Sequence, residues 1–429
     1  MTGQPDFQAD VYQNEYLPDG GRVVDAVVTV TTSGAGLRDG AGPPTAAQVV
    51  MVDCSGSMGS PASKMAEAKK ATATAIDTLR DGVAFAVVGG NAQAHMVYPR
   101  ERRMVPASAQ TRAEAKAVVA RLRADGGTAI GRWLDLANRL FAGQDAEVKH
   151  AILLTDGQNQ HETPEELQRV LEICQGKFVC DSRGVGTDWV ARELRAVAST
   201  LLGTADGLED PAQLPAAFQA MTEAAMGKAV AHVTLRLWTP AGATVRFVKQ
   251  VFPQVEDLTP RRAEVSARIG EYPTGAWGAE SRDYHVSIEV EPGTVGEERL
   301  VGRVSVVGGG QPLAEQLVLA KWTDDTALST KLNPQVAHYT GQAELAAAIQ
   351  EGLAARDAGD VEVATAKLGR AVQLANESGH EDTAKLLAKV VDVVDAPAGT
   401  VRLKKKVAGV DAEIADVRSV KTIRVKKSE

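Results

Sequence analysis

The sequence predicts an α/β domain with a doubly wound, mostly parallel sheet, accompanied by an antiparallel β-sandwich and followed by a helical unit and a basic tail. Three observations predict this fold class. Residues 46–228 alternate short apolar runs with amphipathic segments, which is typical of parallel strands and their crossover helices. Residues 229–330 alternate apolar and polar side chains with a period of two, as half-buried strands do. Residues 341–395 then return to a helical period.

The amino-terminal segment, residues 1–45, has strand character although it precedes the α/β domain. It contains the stretch GRVVDAVVTVTT, which is rich in β-branched residues. We expect this stretch to cross over and complete the β-sandwich, with the α/β domain inserted between sandwich strands.

Two apolar runs within the α/β domain predict buried strands. Residues 49–52 and residues 151–154 each lead into a loop that contains Asp and Gly. Helices are predicted between the strands, and one of them is expected to end at Gly126 and Gly127 while another begins with the capping residue Thr163. Because ligands bind at the carboxyl ends of the strands in open α/β sheets, the loops that follow these two runs are candidate parts of one site.

The regions beyond the α/β domain are predicted from their periodicity alone. The stretches AHVTLRLW, AEVSARI and YHVSIEV are among the predicted sandwich strands. The helical unit is expected to form a hairpin that turns at Gly359, with a third helix over residues 381–394. It resembles a tetratricopeptide hairpin, although one copy is too few for a repeat array.

Five oxygen-bearing side chains in these loops form a candidate cation site. Asp53, Ser55 and Ser57 lie in VVMVDCSGSMG, Thr128 lies in ADGGTAIG, and Asp156 lies in HAILLTDGQ. Hydroxyls and carboxylates without nearby Cys or His ligands suit a hard, octahedral cation rather than zinc. We therefore expect Mg²⁺, with Mn²⁺ as the alternative.

These three stretches resemble the metal-ion-dependent adhesion site of von Willebrand factor type A domains, which is written D-x-S-x-S, then T, then D. All five elements are present in that order. The resemblance implies that Ser55, Ser57 and Thr128 would touch the metal through their hydroxyls, and that Asp53 and Asp156 would bind it directly or through water. It also implies that the open coordination position takes an Asp or Glu of a partner protein, which makes the site adhesive rather than catalytic.

Two other interpretations fit parts of the same motif. Ser and Asp residues that follow strands also cap helices without binding a metal. The stretch SGSMG around Ser57 also resembles the nucleophile elbow of α/β-hydrolases, and Asp156 and His161 complete the chain order Ser, Asp, His. The elbow lacks its first Gly, however, and His161 follows Asp156 too closely to serve as a separately placed base. No catalytic residue is assigned, and we do not expect an enzyme.

Composition excludes two broad function classes. The chain has 429 residues, and its 47 basic and 55 acidic side chains give a net charge of −8. A general nucleic-acid binder needs an excess of Lys and Arg to neutralise phosphates, so this balance disfavours that function. The sequence contains no apolar run long enough to span a bilayer and begins with no apolar leader. We therefore expect a cytoplasmic protein without membrane insertion.

The carboxyl-terminal segment, residues 396–429, is basic and contains a repeated motif. TVRLKK begins at Thr400, and TIRVKK begins at Thr422. A Thr followed at +3 by Leu or Val resembles the phosphothreonine peptides that forkhead-associated domains bind, so both threonines are candidate sites for a Ser/Thr kinase acting on a flexible tail. Two short strands, or a solvated basic tail, are the alternatives. Equal binding of phosphorylated and unphosphorylated tail peptides by such a domain would refute the hypothesis.

Together these features predict a Mg²⁺-dependent protein-interaction scaffold that binds an exposed Asp or Glu of its partner. The whole chain also resembles bacterial cytoplasmic von Willebrand proteins that accompany forkhead-associated, PPM-type phosphatase and Ser/Thr kinase proteins, which implies a phosphorylation signalling system. The main alternative is an adaptor subunit for an AAA+ ATPase. The sequence contains no G-x-x-x-x-G-K-[ST] loop, so any nucleotide chemistry would belong to a partner.

Overall fold

The computed structural model describes residues 6–33 and 44–424, which form two compact units. The α/β unit comprises residues 44–228 and 406–418. The β-sandwich unit comprises residues 6–33, 229–405 and 419–424. The chain therefore starts in the β-sandwich unit, builds the α/β unit, returns, and contributes one late segment to the α/β unit before its last described residues.

Three amino-terminal strands belong to the β-sandwich unit. They are β1 (Phe7–Gln13), β2 (Tyr16–Pro18) and β3 (Val23–Thr32). Strand β3 carries the β-branched stretch that the sequence singled out, and residues 24, 26, 27, 28 and 30 of it are fully or almost fully buried. Neither β1 nor β2 was predicted.

The α/β unit alternates strands and helices. Its strands are β4 (Ala46–Asp53), β5 (Ala84–Gly90), β6 (Ala94–Tyr98), β7 (Val105–Pro106), β8 (Val148–Thr155), β9 (Val179–Val185) and β10 (Ala205–Leu208). Its helices in this part of the chain are α1 (Ala62–Thr78), α2 (Ala109–Val119), α3 (Ile130–Ala142), α4 (Pro164–Cys174), α5 (Ala191–Thr200) and α6 (Leu214–Met226). The strands form one sheet in the order β10-β9-β8-β4-β5-β6, with β7 pairing to β5.

This sheet is parallel from β10 to β5 and antiparallel where β6 and β7 pair with β5. Strands β4 and β8 lie side by side at its centre, and all eight residues of β4 are buried. From β4 the chain continues to β5 on one side, whereas from β8 it continues to β9 on the other. The carboxyl ends of β4 and β8 thus flank the topological switch point, where open α/β sheets bind ligands.

The structure corrects one local prediction in this unit and confirms another. Helix α2 ends at Val119 rather than at Gly126, and residues 120–127 form a turn and an irregular loop. Backbone hydrogen bonds compete with the helix there, because the N–H of Asp125 donates to the carbonyl of Cys54. The start of α4 was predicted correctly, since Thr163 accepts from the N–H of Glu166 in a capping box.

The β-sandwich unit is completed by eight strands that follow the α/β unit. They are β11 (Val230–Trp238), β12 (Thr244–Phe252), β13 (Glu256–Asp257), β14 (Ala263–Ser266), β15 (Ile269–Trp277), β16 (Glu280–Glu289), β17 (Glu298–Gly308) and β18 (Gln311–Thr323). One sheet has the order β1-β3-β16-β12-β13 and the other β14-β15-β11-β17-β18-β2. The stretch predicted as one strand at residues 263–269 is split into the hairpin of β14 and β15.

Both sheets contain amino-terminal strands. Strand β3 pairs antiparallel with β16 over its whole length, and β2 pairs in parallel with the end of β18. The sheets pack closely at Gly302 of β17, where an added Cβ would lie 2.7 Å from the Ile288 side chain on β16 of the other sheet. The α/β domain is therefore inserted into the sandwich along the chain, as the strand pattern predicted.

Four helices follow the strands of the sandwich. They are α7 (Thr326–Ser329), α8 (Pro334–Asp357), α9 (Val361–Glu377) and α10 (Glu381–Val390). Helices α8 and α9 form the predicted hairpin and approach closely at Gly352, where an added Cβ would lie 2.8 Å from Leu368. The third helix is shorter than predicted, because the β-branched run that begins at Val391 continues as a strand.

The prediction of a flexible tail over residues 396–429 is wrong for the part of the tail that the structure describes. That part contains β20 (Thr400–Leu403), which pairs with β19 (Val391–Asp395), and helix α11 (Gly409–Arg418). Ile414, Ala415 and Val417 of α11 are buried within the α/β unit. The free energy gained by burying these apolar side chains offsets the conformational entropy lost when the chain is ordered. A prediction based on the charge of the tail alone does not take this burial into account. Residues 425–429 lie outside the described residues.

Helix α11 is also fixed by ion pairs within the α/β unit. Arg195 of α5 contacts Asp416 at 2.9 Å, and Arg418 contacts Asp206 of β10 at 2.7 Å. None of the helices in the described ranges 6–33 and 44–424 is both long enough and apolar enough to cross a membrane.

Candidate metal centre

Asp53, the last residue of β4, stabilises the loops at the switch point through hydrogen bonds. Its Oδ1 accepts the N–H of Ser55 at 2.7 Å. Its Oδ2 accepts the hydroxyl of Thr155 at 2.6 Å and the N–H of Asp156 at 3.3 Å. The side chain is fully buried, and this burial raises the pKa of Asp53 to about 6 although hydrogen bonds from Ser55 and Thr155 lower it. All three hydrogen-bond donors to Asp53 are uncharged groups.

Asp156 and the two serines lie opposite one another across the switch point. The Ser57 hydroxyl donates to Asp156 Oδ1 at 2.7 Å, and the Ser55 hydroxyl lies 3.4 Å from the same oxygen. The two hydroxyl oxygens are 3.0 Å apart. Asp156 is fully buried and Ser55 is buried, whereas Ser57 is partly exposed. Of these three side chains, Ser57 is the one that reaches solvent.

Thr128 brings a third hydroxyl to the same place. An added Cβ on Gly157 would lie 3.4 Å from the Ser57 hydroxyl and 3.5 Å from the Thr128 hydroxyl, so both oxygens adjoin this glycine. Only 4% of Thr128 is exposed. Backbone bonds hold its loop against the first one, including the bond from the Gly56 N–H to the Gly126 carbonyl at 2.8 Å. All five residues singled out in the sequence thus come together, although their role as metal ligands remains a prediction.

The loop after Asp156 holds the Thr128 segment in place. His161 Nδ1 accepts the N–H of Thr128 at 3.3 Å, and the N–H of His161 donates back to the Thr128 carbonyl at 3.0 Å. A Cβ on Gly127 would overlap the imidazole of His161, so this close approach requires glycine. From the sequence, His161 was considered only as the last member of the chain order Ser, Asp, His, but the structure makes it a positioning residue.

The same loop caps helix α3. Asn159 Oδ1 accepts the N–H of Ile130 at 2.8 Å, and Glu162 Oε1 accepts the N–H of Gly131 at 2.5 Å. The residue at the N-cap, Ala129, has no side chain that could do this. Because Ala129 cannot cap the helix, the sequence indicates that a side chain from elsewhere in the chain accepts these N–H groups.

Lys64 of α1 contacts a candidate ligand, Asp156, and sequence reasoning missed it. Its Nζ lies 2.8 Å from Asp156 Oδ2, and the two side chains are 5% and 0% exposed. A signal was present, because Lys64 lies on the stripe of α1 that also holds Ala68, Ala71 and Ala75, all of them fully buried. A lysine on the buried stripe of a helix needs a buried partner.

The residues present suit a hard divalent cation. Two buried carboxylates and one buried ammonium leave the site with a net negative charge, and three hydroxyl oxygens adjoin it. Among residues 6–33 and 44–424, no three His, Cys, Asp or Glu side chains gather in a way that could hold a metal. Any cation bound here would therefore rely on hydroxyl oxygens, which Mg²⁺ and Mn²⁺ accept more readily than zinc does.

The candidate phosphorylation sites lie in the β-sandwich unit. Thr400 is exposed at the start of β20. The hydroxyl of Thr422 donates to the carbonyl of Val251 at 2.6 Å, and the N–H of Thr422 donates to the carbonyl of Pro253. A kinase would therefore have to break these hydrogen bonds of Thr422 before modifying it. Phosphorylation of either threonine stays a prediction.

Comparison with known proteins identifies the family. A model of the von Willebrand factor type A domain matches residues 47–206, and a model of a von Willebrand factor type A C-terminal domain matches residues 373–419. A solved structure described as von Willebrand factor type A from Catenulispora acidiphila is 52% identical to this chain, with a TM-score of 0.92. The match covers 99% of this chain and 98% of that one. This chain belongs to the von Willebrand factor type A family. The von Willebrand fold is a general protein-interaction domain.

Two more distant similarities were found. The ArnB paralog VWA2 from Sulfolobus acidocaldarius is 14% identical, with a TM-score of 0.58 over 97% of this chain and 98% of that one, and it shares the fold alone. The protein sll0103 from Synechocystis is 32% identical over 216 residues, which make up 49% of each chain. This chain therefore spans about half the length of that curated relative.

Proposed function

We propose that this von Willebrand protein is a divalent-cation-dependent interaction scaffold whose metal centre takes a carboxylate from a partner protein. One observation carries the proposal. Three neutral hydroxyls, those of Ser55, Ser57 and Thr128, adjoin two fully buried carboxylates, and Ser57 reaches the surface. A site of this kind can hold a hard cation and still leave it open on the solvent side.

The residues of the chain divide the work between them. Asp53 orders the two loops through its hydrogen bonds to Ser55 and Thr155, and Asp156 faces the serines with Oδ1. A bound Mg²⁺ or Mn²⁺ would supply an electrophilic position for an Asp or Glu side chain from outside. Because the hydroxyls are neutral, they would not compensate the charge of that cation.

A serine nucleophile has no such support. Ser57 donates to Asp156, while His161 Nδ1 accepts a backbone N–H from Thr128. A Ser-His pair would need these two side chains within hydrogen-bond reach of each other in the role of nucleophile and base. The observed contacts favour adhesion over hydrolysis, and no observation favours an ATPase adaptor over a scaffold with other partners.

Titration of the protein with Mn²⁺, followed by electron paramagnetic resonance, tests the proposal. We expect wild type to bind one Mn²⁺ at this centre that Mg²⁺ displaces. The double variant Ser55→Ala/Ser57→Ala should lose at least about tenfold in affinity, since metal affinity depends this strongly even on residues that only orient the ligands.

Ser63→Ala is the matched control, because Ser63 is exposed on the first turn of α1 and outside the cluster. It should bind Mn²⁺ as wild type does. Equal affinity of the double variant and wild type would refute the metal centre.

A further inference from the structure

We propose that Lys64 is a resident counter-charge that makes the metal centre depend on a carboxylate from outside the chain. This inference rests on the proposed function, since it concerns the charge of the same centre. It assigns to a lysine outside the D-x-S-x-S, T and D motif the role of setting which ligands the centre prefers.

The two oxygens of Asp156 face different partners. Oδ1 lies 2.7 Å from the Ser57 hydroxyl, whereas Oδ2 lies 2.8 Å from Lys64 Nζ. Lys64 and Ser57 therefore contact different oxygens of the Asp156 carboxylate. The oxygen beside the hydroxyls is Oδ1, and the ion pair with Lys64 uses the other oxygen of the same carboxylate.

The surroundings of Lys64 hold its ammonium at this oxygen. Gly186, at the end of β9, has φ +79°, and an added Cβ would lie 2.7 Å from Lys64 Cε. The stem of the lysine thus occupies the space that the glycine leaves. Asp188 Oδ2 lies 3.8 Å from Nζ, but the Asp188 side chain is 62% exposed, so solvent screens this second contact. Asp156 is the dominant partner.

Charge arithmetic gives the consequence. With both aspartates ionised, Asp53 and Asp156 contribute −2 and Lys64 contributes +1, so the centre carries −1 before metal binds. A divalent cation brings it to +1, and one external carboxylate then brings it to zero. Without Lys64, the charge of the centre is −2 before metal binds, zero with the divalent cation, and −1 once the external carboxylate is added. Buried charges a few ångströms apart interact strongly, so Lys64 opposes the cation and favours the carboxylate.

Loss of the Lys64 charge should strengthen metal binding and weaken carboxylate binding. These opposite changes distinguish a charge effect from damage to the fold, which would weaken both. In Lys64→Met we expect Mn²⁺ to bind roughly tenfold more tightly, while acetate binds the Mn²⁺-loaded protein roughly tenfold more weakly. Electron paramagnetic resonance measures the first constant. Relaxation of water protons measures the second, because acetate displaces water from bound Mn²⁺.

Three further variants sharpen the experiment. Lys64→Arg keeps the charge and should behave nearly as wild type in both titrations. Lys70→Met removes an exposed lysine from the same helix and should change neither constant. Lys64→Gln, which removes the charge but keeps a hydrogen-bond donor, replaces Lys64→Met if thermal unfolding shows that the methionine variant does not fold.

The outcomes separate this inference from the function on which it rests. If wild type binds Mn²⁺ and acetate but the uncharged variants leave both constants unchanged, or weaken both, the role of Lys64 is refuted and the metal centre stands. If wild type itself binds no Mn²⁺ at the serines, or if acetate has no effect on bound Mn²⁺, the proposed function and this inference both fail.

Discussion

Asp156→Ala is expected to destabilise the α/β unit by about 3–5 kcal/mol, the usual consequence of removing one partner from a buried ion pair. The Lys64 side chain is 5% exposed, and its ammonium would keep its 3.8 Å contact with the exposed Asp188 as its remaining ion pair. The variant should also lose Mn²⁺ binding, because the oxygen that faces Ser57 disappears with the side chain. Calorimetric unfolding of the full chain, compared with wild type, measures the loss of stability.

A double variant separates the two effects of this substitution. Lys64→Met in the Asp156→Ala background removes the stranded charge, so most of the lost stability should return while Mn²⁺ binding stays absent. Asp145→Ala serves as the control, since Asp145 is exposed in the same unit and its loss should change stability by less than about 0.5 kcal/mol. If the double variant is no more stable than Asp156→Ala, the stranded-charge explanation is wrong.

Trp133→Ala should cost about 3–5 kcal/mol of unfolding free energy, as large-to-small substitutions at buried aromatic residues do. Trp133 is fully buried on α3, and its indole lies against Gly90 at the end of β5, where an added Cβ would overlap the ring. Its Nε1 donates to the carbonyl of Asn91 at 2.8 Å, and the same carbonyl accepts the N–H of Ala129. We therefore expect affinity for Mn²⁺ to fall as well, since Thr128 adjoins that anchor.

Two variants test this prediction against general loss of packing. Trp133→Phe keeps much of the apolar contact but lacks the N–H, so its stability loss should be smaller than that of Trp133→Ala. Ile173→Ala on α4 removes a side chain that is 50% exposed and should change stability little. A loss in Trp133→Ala no larger than that in Ile173→Ala would contradict the structure of this core.

The sequence was sufficient to predict that the five candidate residues gather at one edge of the sheet, because strand ends are local signals, whereas their role as metal ligands stays a prediction. Asp53 and Asp156 each follow an apolar run, and strands with such runs meet at the switch point of a parallel sheet. The parts that could not be predicted depend on contacts between distant segments. Lys64 meets Asp156 across 92 residues, and Asn159 caps a helix that begins 29 residues earlier. The position of Lys64 on a buried stripe and the missing cap at Ala129 signal that each needs a partner, but spacing along the chain does not identify that partner.

The tail shows the same limit from the opposite direction. Its basic composition suggested a solvated segment, but Val401 is buried in β20 and Ile414 is buried in α11. Few apolar residues are enough to order a short segment when an existing unit provides the surface against which they pack. The composition of a segment gives no information about the surface against which the segment packs. The alternative prediction of short strands was correct for residues 400–403.

The proposed function requires that the three hydroxyls hold a cation that accepts a carboxylate from outside. Crystals grown with Mn²⁺ and acetate test it most directly, since anomalous diffraction locates the metal without assumptions about its ligands. We predict one strong anomalous peak in contact with the hydroxyls of Ser55, Ser57 and Thr128, with an acetate oxygen bound and Lys64 still on Asp156 Oδ2. Mn²⁺ bound elsewhere, with no peak at these hydroxyls, would contradict the account.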